Sequence, residues 1–380
     1  MYSEPNKFLV IALVTSVLSY MYSLLIIFLY KNLGGADKAL NKTQSVHVTS
    51  TPRLGGLALI LAIISVEAIF GGLFRIWFLL AVSPIFIVGM MEDFHFETKP
   101  VSRLTIGAIS SLLAIYLSNS WITTLDFPFL DKVLEITPFG ILFTVFASVG
   151  MINAINLIDG VHGFAAAKTV LISMGIFLVA SKVGENGIAA MAALVAAASL
   201  GLFFVSFPYG RIFMGDAGAY TIGFVLAWQM ITLLNRHSDL SAWSLLAIVF
   251  WPVMDTLFAI YRRMRKGASS SRPDLLHFHQ LIMRFWEIAS RRKIPRTVSN
   301  PLATATILPL SFFPIIMGIK FSHDVKVGFM IVVSSAILYL LGYYSCFLIL
   351  KKKKLRSVLF HLAQPVLEKF LFTNSKKQKA

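Results

Sequence analysis

Long apolar runs alternate with short polar islands along this 380-residue chain. A membrane-spanning α-helix needs roughly 20 apolar residues. By that measure spans are expected near 8–30, 54–74, 76–91, 104–118, 138–156, 163–181, 187–206, 217–234, 241–261, 302–318 and 327–350, with 76–91 and 104–118 the shortest. The pattern predicts an all-α, polytopic integral membrane protein of about eleven transmembrane helices. Only Lys7 precedes the first long run, so this segment reads as a retained transmembrane helix rather than a cleaved signal. No internal repeat interrupts the pattern.

Composition agrees with lipid as the solvent. Hydrophobic residues make up 57% of the chain and charged residues 14%, against about 25% charged in soluble domains. The net charge of +16 would suggest nucleic acid in a soluble protein, but its placement removes that need. With alternating spans, one face holds loops 31–53, 92–103, 157–162, 207–216 and 262–301 plus the tail 351–380. It carries 26 Lys and Arg, the other face seven. The basic face is therefore expected to be cytoplasmic, with the N-terminus outside. Residues 1–350 form the membrane domain, and 351–380 a basic cytoplasmic tail, read either as an interfacial helix broken near Pro365 or as a loose topogenic segment. The single cysteine, Cys346, excludes an intrachain disulfide and a thiolate metal cluster.

The polar islands that membrane crossing does not require fall on the basic face. They are "SVHVTSTPRLGG" (45–56), "GMMEDFHFETK" (89–99), "NAINLIDGVHG" (153–163), "PYGRIFMGDAGAY" (208–220) and "RRMRKGASSSRPDLLHFHQ" (262–280). Each alone has an ordinary structural explanation. Glu92 and Asp93 could end a helix, Asp159 with Gly160 could make a turn, and Asp216 could cap the next helix. His277 and His279 would face different sides of a helix and converge only on irregular backbone. Gathered on one face, the islands point to one cytoplasmic site. Carboxylates from separate loops suit Mg²⁺ (or Mn²⁺) with substrate phosphate, while Arg53 and the histidines suit phosphate oxygens. Of the two acidic residues inside spans, Asp255 is expected to pair with Arg262 or Arg263, and Glu67 to snorkel outward.

In the order and spacing of these motifs the chain resembles the polyprenyl-phosphate N-acetylhexosamine-1-phosphate transferases, over roughly residues 10–350. "TPRLGG" and "RRMRKG" look more like the GlcNAc-1-phosphate branch than the phospho-MurNAc-pentapeptide branch. The resemblance implies transfer of a sugar-1-phosphate from a UDP-sugar to undecaprenyl phosphate at the cytoplasmic face of the bacterial inner membrane. UMP is released, and a lipid-linked surface polysaccharide (O-antigen, enterobacterial common antigen, capsule or teichoic-acid type) is begun. It implies that Glu92 and Asp93 act at the lipid phosphate, that Asp216 binds Mg²⁺ and that Phe213 stacks on uracil. Asn156 and Asp159 would hold the uridine side, His277 and His279 the sugar-phosphate, and Arg53 anionic groups. Glu92, His162 and Gln280 stand where the family has Asp, Asp and His, which bears on sugar choice. Phospho-MurNAc-pentapeptide transfer, an inert scaffold and a lipid-linked-sugar transporter are the competing readings. The sequence leaves a homo-oligomer open.

Overall fold

A computed structural model describes residues 5–33, 51–71, 76–96, 98–267, 276–290 and 294–352. The basic tail after residue 352, most of the 31–53 loop and the 272–275 end of the histidine motif lie outside them. Every regular element among these residues is a helix. In order run α1 (Pro5–Asn32), α2 (Gly55–Phe70), α3 (Ile76–Asp93), α4 (Pro100–Ser118), α5 (Pro128–Leu134), α6 (Thr137–Leu157), α7 (Phe164–Lys182) and α8 (Asn186–Ser206). Then come α9 (Gly215–Arg236), α10 (Ala242–Ile248), α11 (Phe250–Lys266), α12 (Phe278–Ala289), α13 (Arg296–Leu310), α14 (Phe312–Lys320) and α15 (Val325–Lys351). Among the described residues eight helical segments are long and apolar enough to cross a bilayer, or nine when the bent pair α10–α11 counts as one. The short α2 and α3 occupy the expected 54–74 and 76–91 segments.

Two expected spans are interrupted, and proline explains both. Pro252 has no N–H to give the carbonyl four residues back, Ile248, which is where α10 stops. The axis turns by 87° before α11 begins, so the predicted 241–261 helix is a broken one. Pro314 stands in the same relation to Leu310, the last residue of α13. The 262–301 loop also contains a helix of its own, α12, which packs on α13 and α15.

The centre of the bundle is α9. In its most apolar stretch 83% of residues are buried, against 22% in peripheral α15. It packs on α2, α3, α6, α7 and α8. Small residues permit this. A Cβ on Gly56 of α2 would stand 2.1 Å from the Gly218 Cα, and one on Gly89 of α3 2.4 Å from the Ala217 Cα. Where lipid offers no hydrophobic drive between helices, such backbone approach is what holds a bundle together. The same contacts bring α2 and α3 against the first turns of α9.

Candidate active site

The N-terminus of α9 carries Asp216 in its first turn, and the polar islands assemble around it. The segment before α2 pairs with the segment before α9: Phe213 N–H donates to Pro52 O (3.0 Å), Gly55 N–H to Phe213 O (2.9 Å) and Gly56 N–H to Met214 O. Gly215 has φ +76°, and a Cβ there would sit 1.7 Å from the Arg53 carbonyl, so only glycine fits. "TPRLGG" and "FMGDAG" are thus one structure.

Asp216 does not cap its helix. Asp93 does, accepting from Asp216 N–H (2.8 Å) on one oxygen and from Ala217 N–H (2.9 Å) on the other. Asp159 accepts from Gly215 N–H at 2.9 Å. The free amides of a helix start attract carboxylates, and two loops distant in sequence supply them. Asp216 keeps its side chain for other work. Its Oδ1 accepts from Asn156 Nδ2 at 2.6 Å. Asn153, in the same island, donates to Val149 O of its own helix.

Glu92 leaves α3 in another direction. Its Oε1 is ion-paired with Arg103 Nε (2.8 Å) and accepts from the Thr98 hydroxyl, and its Oε2 accepts from the Tyr220 hydroxyl (3.2 Å). The longer side chain that departs from the family pattern is held by two hydroxyl donors and one guanidinium. None of the three was singled out by the motifs. Tyr220 had a signal, lying four residues after Asp216 on the same helix face. Thr98 lay within the 89–99 island without a role assigned to it, and Arg103 had no signal.

Crowded acids shape the electrostatics. Burial pushes the Asp93 carboxyl up to about 8, the Asp216 charge adding to it while the two amides and Arg53 oppose. Burial likewise raises Asp159 to about 7, against the pull of Gly215 N–H and Arg53. Glu92 is raised by burial and by Asp216, with Thr98, Arg103 and Tyr220 opposing. Such a cluster is short of positive charge. Among the described residues no three His, Cys, Asp or Glu side chains form a ready-made metal cage. Mg²⁺ needs only one or two carboxylates beside water and phosphate, and oxygen donors on Asp216 with raised acids around it fit that requirement.

The third island closes the site beneath "FMGDAG". His162 is buried, and its Nδ1 lies 2.8 Å from Pro208 O, so the proton is on Nδ1. Its N–H donates to Asn300 Oδ1 (2.6 Å), and its ring lies 5.9 Å from that of Phe213. Residue 162 is thereby part of the loop packing, where burial lowers its basicity. Phe213, the ring expected to stack on uracil, is 3% exposed.

The two histidines of "HFHQ" do converge. His277 is the extended residue before α12 (φ −61°, ψ 149°), which turns its ring parallel to that of His279 at 5.6 Å. Both are buried. His279 lies against Gly160, where a Cβ would stand 2.8 Å from Nε2, and burial pushes it down to about 4. Gln280, the third departure, keeps its amide oxygen buried without a partner among the described residues. Asp255 does not pair with Arg262 or Arg263 as expected: its hydrogen bonds go to the start of α12 and to α15. The break at Pro252 re-aims α11 and carries Asp255 there. Arg53 is exposed, within electrostatic reach of Asp93 and Asp159.

Comparison with known proteins agrees with this architecture. Residues 75–234, from α3 to the end of α9, match the family described as "Glycosyl transferase family 4". A probable undecaprenyl-phosphate N-acetylglucosaminyl 1-phosphate transferase of Bacillus subtilis (strain 168) is 29% identical over 261 residues, 67% of this chain and 71% of the relative. The undecaprenyl-phosphate alpha-N-acetylglucosaminyl 1-phosphate transferase of Escherichia coli O157:H7 is 31% identical over 203 residues, 52% and 55% of the two chains. That of Escherichia coli (strain K12) is 29% identical over 262 residues, 67% and 68%. With the motifs assembled on α9, the chain is similar to these undecaprenyl-phosphate N-acetylglucosaminyl 1-phosphate transferases, and its residues 75–234 match Glycosyl transferase family 4.

Proposed function

We propose that this membrane protein transfers N-acetylhexosamine-1-phosphate from a UDP-sugar to undecaprenyl phosphate and releases UMP, working at the cytoplasmic face. The observation that carries the reading is the convergence of Glu92, Asp93, Asn156, Asp159 and Asp216 at the start of α9. The group that the relatives are named for transferring is N-acetylglucosaminyl 1-phosphate. UDP-GlcNAc is accordingly the first donor to try.

A phosphate oxygen of the lipid forms the new bond to the sugar-linked phosphorus. The bond from that phosphorus to the bridging oxygen breaks, and UMP leaves with the electron pair. Glu92, held at the site by Arg103, Thr98 and Tyr220, takes any proton left on the lipid phosphate, and its raised affinity suits that task. Asp93 is a positioning residue, since both oxygens are spent on α9 amides. With neither carboxylate presented bare, direct transfer is favoured over a covalent phospho-enzyme. Asn156 orients Asp216. Arg53, exposed and within electrostatic reach of Asp93 and Asp159, would meet diphosphate oxygens. Asp216 would hold Mg²⁺, which supplies charge neutralisation at the diphosphate when bound.

The test is product analysis. Membranes containing the protein, undecaprenyl phosphate, Mg²⁺ and a panel of UDP-N-acetylhexosamines should yield a polyprenyl-diphosphate sugar visible by mass spectrometry. Chelation by EDTA should stop its formation. A lipid monophosphate-sugar product, or none with any donor, would exclude this reaction.

A further inference from the structure

The intramembrane carboxylate Asp255 has no part in the chemistry above, yet it is 1% exposed and bonded on every side. Its Oδ1 accepts from Tyr339 Oη (2.5 Å) and from Phe278 N–H (3.1 Å). Its Oδ2 lies 2.7 Å from His277 Nδ1. Tyr339 is 2% exposed and His277 3%, so α11, α12 and α15 meet at this carboxylate away from solvent. Tyr343 fixes the same corner through a hydrogen bond to Leu276 O at 3.0 Å.

We propose that Asp255 is the positioning residue for His277: from within the membrane domain it holds the imidazole proton on Nδ1 and leaves the Nε2 lone pair to accept a hydrogen bond from a hydroxyl or N-acetyl N–H of the sugar-phosphate. The proposal rests on the reading of His277 as a substrate contact. A carboxylate accepts and does not donate, so the Nδ1 facing Oδ2 carries hydrogen. Two other donors already use Oδ1, one of them a backbone amide that cannot turn away. Asparagine at 255 therefore has to keep its single oxygen on those donors and point its NH₂ at His277. Nδ1 must then accept, and the ring proton moves to Nε2. This carboxylate–histidine arrangement is a known way to fix which ring nitrogen works.

The experiment combines ¹⁵N NMR of histidine-labelled protein in lipid, assigned by the loss of one signal in His277→Gln, with a double-mutant cycle. The wild type should show His277 protonated at Nδ1, and Asp255→Asn should show it protonated at Nε2. Asp255→Asn should lower kcat/KM on the order of 10–100-fold. In a His277→Ala background it should add nothing further. Tyr339→Phe keeps the ring packing and removes one donor. It should cost a few-fold, again only when His277 is present, and it serves if Asp255→Asn fails to insert. Wild-type rates in Asp255→Asn, losses that multiply with His277→Ala, or an unchanged tautomer would each overturn the proposal. Absence of transfer in the wild type would overturn the transferase reading instead, and the NMR comparison would still decide whether Asp255 sets the tautomer.

Discussion

Glu92 and Asp93 leave α3 about 100° apart, and the two carboxylates meet different partners. Asp93 closes the start of α9, while Glu92 sits among Arg103, Thr98 and Tyr220. Their substitutions should therefore fail differently. Glu92→Gln keeps shape and packing but loses basicity, so transfer should fall by on the order of 10²-fold or more with an unchanged melting temperature. Asp93→Ala strands two amides at a buried helix start and should lower stability by about 1–2 kcal/mol as well as activity, visible in thermal melts of the solubilised protein. Equal melting temperatures for the two variants would refute this division. The sequence marked both acids as a site but could not say which braces and which reacts, because the amides Asp93 caps lie 123 and 124 residues away. Asp255 was visible as a costly intramembrane charge. Its partners were not, since His277 follows 22 residues later and Tyr339 84 residues later.

At the scale of elements, close packing on α9 is what places the acids. Gly56→Val puts side-chain atoms where the α9 backbone stands, so α2 has to move and the Arg53 carbonyl with it. The expected result is loss of folded, monodisperse protein in detergent chromatography. Gly187→Ala in α8 meets nothing within 4 Å. In the first turn of α8 with open space around it, the substitution should leave both activity and melting temperature essentially intact. If both behave alike, helix approach is not what these glycines serve. Helix existence was readable from apolar length alone, and a helix stands in each of the eleven expected segments. The break in the 241–261 segment was written in Pro252, but its 87° direction depends on what α7, α14 and α15 pack against α10. The amphipathic α12, twelve residues within a basic loop, was too short for the spanning criterion to register.

For the whole molecule, a single site requires all the assembled islands to face one compartment. Cys346 is buried and the chain's sole cysteine, so a Cys346→Ala background is cysteine-free. Exposed Glu135 and Arg211 fall on opposite predicted faces. A membrane-impermeant maleimide should label Glu135→Cys in intact spheroplasts and Arg211→Cys only after permeabilisation. The reverse pattern would put the site outside, where no UDP-sugar is made available. Charge asymmetry carried this prediction, and the hydrogen bonds between islands add that they share one end of the bundle. The most direct test of the central claim is UMP release by purified protein given undecaprenyl phosphate, Mg²⁺ and UDP-GlcNAc or its N-acetylhexosamine relatives, wild type against Asp216→Asn. Release with one donor, abolished in a stably folded Asp216→Asn protein, is the predicted result. Undiminished release in Asp216→Asn would contradict a site built on the start of α9.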